Sequence, residues 1–207
     1  IIGRLNTQNL PEKDEREAVE TITELIEYYK GIFTILSSCA ARQLEEVTFR
    51  RNTIPVQELF DAAGKYFRKV TKNRTEKVEL IIEPMDAKVI GDVNQLRFLF
   101  ENLIDEALAV REEGVIRLQA RKDNEYIRFL FTDTRREKSV TELNQLFYPN
   151  LARMTSGEKG ELRGTEYLIC KQIIRDHDEF AGRRGCRINA EPAEGGGFTV
   201  YFTIPRR

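Results

Sequence analysis

Two side chains with oxygen to offer, Asn102 and Glu106, stand four residues apart in the stretch Glu101-Asn-Leu-Ile-Asp-Glu-Ala107. On a helix that spacing puts both on one face. The pair suits a metal or phosphate role, and it equally suits a solvated or structurally hydrogen-bonded pair. Asp133 closes the apolar run Tyr126 to Thr132. A carboxylate there either recognises a ligand or is a strand-end turn aspartate that accepts local backbone N–H bonds. The paired arginines Arg135-Arg136 and Arg183-Arg184 read as solvated turns, with a phosphate clamp as the alternative. His177 is the single histidine, and it reads as structural. Cys39, Cys170 and Cys186 are odd in number, widely spaced and without CxxC or a His partner at ligand spacing, so neither a disulfide framework nor a zinc site is indicated.

The chain of 207 residues has room for a small element plus a domain of ordinary size. Lys plus Arg number 33 against 34 Asp plus Glu, so no net basic field gathers nucleic acid or an anionic membrane surface. No apolar run approaches the roughly 18 residues of a membrane span. The thiols fit a reducing, cytoplasmic setting. The sequence opens Ile1-Ile2-Gly3-Arg4 without an initiator Met, and it reads as a piece of a longer chain.

The elements that must position these residues follow from periodicity. From Glu12 to about Phe49, apolar residues recur in steps of three and four at Val19, Ile22, Ile26, Tyr29, Phe33, Leu36 and Ala40. That is a heptad seam on one long helix. A second stripe at Leu25, Tyr28, Ile32, Ile35 and Cys39 widens it beyond a two-stranded seam, which predicts a multi-helix, intermolecular bundle. Ile1 to Asn9 reads as the end of a preceding antiparallel helix, with Leu10-Pro11 in the connection. Pro55 opens a helix over 56–70 with Thr53 as its cap.

Strand signals start at Val78 to Ile82 and Lys88 to Ile90, followed by a helix over 92–110. Val115 to Ala120 and Tyr126 to Thr132 form a hairpin around Lys122-Asp123-Asn124. Ser139 caps a short helix through Phe147, a loop spans 150–163, and a helix covers 164–176. Strands at Cys186 to Ala190 and Phe198 to Ile204 flank Gly195-Gly196-Gly197. The fold class is α+β: a long bundle-type helix, then an α/β sandwich with a mixed five-stranded sheet covered on one face by helices.

Taken in order, several strings resemble the sensor histidine kinases of two-component systems, in the GHKL superfamily. Gly91-Asp92-Val93-Asn94-Gln95-Leu96 with Asn102-Leu103-Ile104-Asp105-Glu106-Ala107 looks like the N box and its lead-in. Phe131-Thr132-Asp133 looks like the opening of the G1 box, and Val140 to Phe147 resembles the helix between G1 and the lid. Gly164 to His177 is similar to the G2 box and its helix, Gly197 to Pro205 to the closing strand, and Leu44 to Leu59 to the junction with the second dimerisation helix. The resemblance implies a partial dimerisation region over residues 1–52, an ATP-binding domain over 53–207, and a homodimer built through the bundle. It further implies ATP and Mg as cofactors, nucleotide contacts from Asn102, Asp133, Gly164 and Thr199, Mg at Glu106, and a response regulator as partner. The implied reaction is phosphoryl transfer from ATP to a His upstream of Ile1.

The departures from the family pattern predict impaired chemistry. Glu106 stands at the metal-holding Asn, although its carboxylate can still take Mg through oxygen. Ala109 replaces a basic residue. Asp133-Thr-Arg135-Arg-Glu137 replaces Asp-x-Gly-x-Gly, where glycine lets backbone pass close under the adenine. Glu166 takes the second G2 glycine, at a helix start where amides cradle phosphate and a carboxylate repels it. Two classes of function follow: a kinase core of reduced activity, or a non-catalytic scaffold for dimerisation and interaction. The reading requires a hollow between the helix of Asn102 and the turn after Asp133. If Arg135 or Glu166 fills that hollow, the ancestry stays and the chemistry goes.

Overall fold

A computed structural model describes residues 49–148 and 165–207. The long helix expected up to Phe49, the loop over 150–163 and Gly164 lie outside the described residues, apart from Phe49 itself.

The segment after Phe49 departs from expectation at once. Thr53 does not cap a helix: Asn52–Pro55 is a strand, β1, paired antiparallel with a later one. The helix behind it, α1 (Val56–Thr71), has Pro55 at its N-cap with no side-chain cap bond. Val56 N–H instead donates to Ala87 O at 2.9 Å. Pro55 cannot donate and has φ −62°, so it ends a two-stranded ribbon as readily as it starts a helix.

β2 (Val78–Ile82) then enters the main sheet, whereas β3 (Lys88–Gly91) pairs with β1. The next helix, α2 (Val93–Leu108), is capped by Asp92, whose Oδ1 accepts from Asn94 N–H at 2.9 Å and Gln95 N–H at 3.2 Å. β4 (Gly114–Asp123) and β5 (Tyr126–Asp133) form the expected hairpin, with Asn124 in the left-handed region at φ 52°. Ser139 does cap a helix, α3 (Val140–Gln145), in a full capping box with Glu142. The described chain ends with α4 (Thr165–Phe180), β6 (Ile188–Pro192) and β7 (Phe198–Pro205).

The mixed five-stranded sheet runs β2-β4-β5-β7-β6, with β2 parallel to β4 and the other pairs antiparallel. Alternation assigns its faces. Ile127, Phe129 and Phe131 of β5, with Phe198, Val200, Phe202 and Ile204 of β7, are buried with Leu99, Phe100, Leu103 and Ile104 of α2. Phe60, Phe100, Phe129 and Phe202 meet ring to ring at centroid distances of 4.9 to 6.2 Å. On the far face Arg117 and Arg121 are exposed, and Arg128 and Leu130 are half-buried. The helices therefore cover one face. Burial in this aromatic layer supplies the main driving force for that packing.

Candidate functional site

Asp133 is the fourth residue of a period-two series after Ile127, Phe129 and Phe131, so the geometry that buries those rings also carries its carboxylate to the helix side of the sheet. A lone buried carboxylate is costly and needs paired charge and hydrogen bonds. The next turn provides both. Arg135 N–H donates to Asp133 Oδ1 at 3.1 Å, Arg135 Nε to the same oxygen at 2.8 Å, and Arg135 Nη2 to Oδ2 at 2.9 Å. Arg136 Nε adds a bond to Oδ2 at 3.2 Å. Four donors thus meet a group with about four lone-pair sites. Side-chain exposure is 0% for Asp133, 1% for Arg135 and 13% for Arg136, so the cluster is enclosed. The Arg135–Arg136 pair is not the solvated turn that its charge suggests. Burial of Asp133 pulls it inward. Arg183 and Arg184, by contrast, do form surface ion pairs, with Glu125 and Asp178.

The same guanidinium groups reach α2. Arg135 Nη2 donates to Ala107 O at 2.6 Å and Arg136 Nη2 to Glu106 O at 3.3 Å, while Arg135 Nη1 donates to Glu112 O at 3.2 Å. The last turn of α2 holds no basic residue of its own, so these cations complement the negative end of the helix. The turn after Asp133 and the helix of Asn102 therefore do border one region. Arg135 and Arg136 reach into that region, and Phe198 stands opposite Asp133 in the β5–β7 register. The Arg136 guanidinium lies 5.8 Å and Lys138 Nζ 5.5 Å from the Phe198 ring centroid.

Asn102 and Glu106 are both buried on α2. Asn102 Nδ2 donates to Phe98 O at 2.6 Å, one turn back along its own helix. Tyr167 of α4 is buried near Glu106, Arg136 and Asp133; burial first, then the Glu106 charge, pushes its phenol well above the ordinary range. Its ring meets Phe147 edge-on at 5.7 Å. Glu166 sits in the first turn of α4, so the chain places its own carboxylate at the helix end that favours an anion. Thr199 is not brought together with Asp133. It pairs in register with Thr132, on the opposite face of the sheet, and the two hydroxyls are 2.8 Å apart.

Gly197 closes the site from behind. It has φ +80°, and a Cβ there would lie 2.1 Å from Asp133 O. Only glycine lets β7 start this close to the end of β5. His177 lies elsewhere, as a satisfied structural residue. Asp92 N–H donates to its Nε2 at 3.1 Å, and its Nδ1 is 2.8 Å from Ile173 O, so the ring is neutral with the proton on Nδ1.

The Asp133 carboxylate already accepts four hydrogen bonds from Arg135 and Arg136, about as many as its lone pairs allow, and Glu166 lies in the first turn of α4. For Mg, the described residues hold no group of three or more His, Cys, Asp or Glu side chains. Glu106 contributes one carboxylate, which falls short of a protein cage and matches a site that leans on substrate phosphates. Sequence reasoning missed Phe198 and Tyr167. Phe198 was readable, because pairing the end of β5 with the start of β7 puts it opposite Asp133; Tyr167 leaves no such mark.

Residues 91–207 match the model of the family described as histidine kinase-, DNA gyrase B-, and HSP90-like ATPase. No curated protein matches the chain. Among solved structures it is similar to a mycobacterial sensor histidine kinase, MprB, at TM-score 0.57 and 17% identity, over 76% of this chain and 99% of that one. The Acinetobacter baumannii histidine kinase AdeS matches at TM-score 0.58 and 15% identity, over 98% and 89%. Histidine kinase ThkA in complex with response regulator protein TrrA matches at TM-score 0.65 and 18% identity, over 100% of this chain and 55% of that chain. At these identities the likeness shows the fold alone.

Proposed function

Because the chain belongs to the family of histidine kinase-, DNA gyrase B- and HSP90-like ATPases, we propose that it is the core of a sensor histidine kinase-like signalling protein whose nucleotide site its own side chains have closed. It acts without ATP chemistry, as a dimerisation and interaction scaffold. Residues 1–52 are the dimerisation region and 53–207 the ATPase-type domain. The single observation behind this reading is the saturation of Asp133 by four donors from Arg135 and Arg136. A bound adenine would have to displace a buried, bidentate guanidinium–carboxylate pair before making its own contact.

The partners are a second copy, through the helical region, and a response regulator of the kind that ThkA binds in its complex with TrrA. The setting is cytoplasmic. Among the described residues no helix is long and apolar enough to cross a membrane.

A second reading keeps the kinase chemistry, with phosphoryl transfer from Mg·ATP to a His upstream of Ile1, driven mainly by positioning and charge neutralisation. The burial of Asn102, Glu106 and Asp133 along the region between α2 and β5 favours it. Thermal unfolding with ATP, ADP and a non-hydrolysable analogue, with and without Mg, separates the two readings. A ligand that binds only the native state must stabilise it. The scaffold reading predicts an unchanged midpoint at millimolar nucleotide. A rise that disappears in Asp133→Ala would favour the kinase reading and contradict the scaffold.

A further inference from the structure

The five-stranded sheet has two outer edges, β2 and β6, and they are finished differently. β6 ends in Pro192 and has α3 beside it, devices that keep an edge from recruiting another strand. β2, Val-Glu-Leu-Ile-Ile, has neither a Pro nor a bulge. Gly114 N–H donates to Lys77 O at 3.1 Å and Glu83 N–H to Leu118 O at 3.0 Å, so the odd-numbered residues of this stretch turn their backbone groups to β4. By alternation the N–H and C=O groups of Val78, Leu80 and Ile82 point outward, and among the described residues no strand pairs with them. Their side chains lie on the helix side of the sheet, where α1 packs: a Cβ at Gly64 would lie 3.2 Å from Ile82 Cδ1. These three are only half-buried, whereas Ile116 and Leu118, opposite Leu80 and Ile82 on β4, are buried.

We infer that β2 is a self-association edge: the same strand of a second copy of this chain adds antiparallel across a two-fold axis at Leu80 and joins two sheets into one. The sequence is complementary to itself in that register. Val78 stands opposite the partner's Ile82, Leu80 opposite the partner's Leu80, and Ile82 opposite the partner's Val78. These are the hydrogen-bonded positions, so every outward donor and acceptor of the strand finds a partner. All the pairs are apolar, and they carry the layer beneath the helices across the joint. On the open face, Lys77 falls directly opposite the partner's Glu83, and symmetry repeats the pair; both residues are exposed. Opposite charges at such positions favour the register, and like charges oppose it. A slip of two residues separates Lys77 from the partner's Glu83 and leaves an outward residue unpaired. A slip of one turns the apolar row to the wrong side. The contact goes beyond the proposed function: it is distinct from pairing through the helical region and independent of the Asp133 site. Where copies already pair through helices, it joins those pairs into larger assemblies.

The test is sedimentation velocity of the full chain up to about 100 μM, because one strand edge buries little area and associates weakly. Lys77→Glu, Glu83→Lys and the double variant are run beside wild type. Wild type should gain mass with concentration. Each single variant sets like charges opposite one another at both ends of the joint and should weaken association at least about tenfold. The double variant should restore it, and so should an equimolar mixture of the two single variants, since each then supplies the charge that the other lacks. Rescue in the mixture is a readout that a change confined to one copy's fold would not produce. In wild type, hydrogen exchange at the amides of Val78, Leu80 and Ile82 should slow as concentration rises. A mass that stays constant, single variants that associate as wild type does, a mixture that stays apart, or amides indifferent to concentration would each overturn the inference. None of these outcomes bears on the Asp133 site, which nucleotide titration reads separately.

Discussion

Arg135 grips Asp133 with Nε at 2.8 Å from Oδ1 and Nη2 at 2.9 Å from Oδ2, and the Nη2 that completes this fork also lies 2.6 Å from Ala107 O at the end of α2. One guanidinium thus neutralises a carboxylate delivered by a strand and caps a helix that packs over the same sheet. The pair is internal, so its energetics are those of buried charge, in which removing one partner costs more than removing both.

Asp133→Ala leaves the Arg135 charge enclosed and unpaired. It should lower stability by about 3 to 5 kcal/mol in urea denaturation, whereas Asp133→Leu combined with Arg135→Leu should cost much less than either single change. A double variant as destabilised as the sum of the two singles would show that the pair is not coupled.

Gly197→Ala combines a left-handed φ of +80° with a Cβ 2.1 Å from Asp133 O. The backbone of β7 would have to move away from β5, with a loss of at least about 1 to 3 kcal/mol. Gly195 has φ +89° and nothing within 4 Å, so Gly195→Ala carries the conformational cost alone and should be the milder of the two in the same denaturation assay.

Much of this was legible before any coordinates. The strands on either side of the N-box-like helix, the Ser139 cap and the structural role of His177 follow from period, cap chemistry and residue type. The strand at 52–55 was not legible, because its hydrogen bonds go to β3, more than thirty residues on, and no local period records that pairing. The two arginines were misjudged as surface for a related reason. Charge alone says solvent, and only the alternation through Ile127, Phe129 and Phe131 reveals that Asp133 is buried and needs them. Thr199 reads as a site residue by its place in the closing strand, yet the parity of β7 turns it to the other face.

His177 makes stability depend on pH. Burial holds its pKa below 6.5, more strongly than the Ile173 carbonyl and the Asp92 and Asp176 charges raise it. The unfolded chain therefore binds the proton more readily than the native one, and stability falls as pH drops from 6.5 toward the depressed native value. The contribution is fully present above 6.5. Urea midpoints between neutral and mildly acidic pH should fall less in a folded His177→Gln variant than in wild type; equal slopes would count against this assignment.

Tyr66 joins α1 to α2 by donating its hydroxyl to Asp105, with both carboxylate oxygens at 2.8 Å. Burial raises the Asp105 pKa and the Tyr66 bond lowers it. Tyr66→Phe should therefore raise it further, as read by carboxyl carbon NMR titration, and cost about 1 to 3 kcal/mol of stability. An unmoved titration would mean that the bond does not form in solution.

The central claim, that the Asp133 site is closed by the chain's own arginines, is tested most directly by calorimetric titration of the wild-type chain with Mg·ATP up to millimolar concentration. A closed site predicts no saturable heat. Saturable binding that vanishes on Asp133→Ala would contradict it, because that carboxylate would then be serving a ligand and not Arg135.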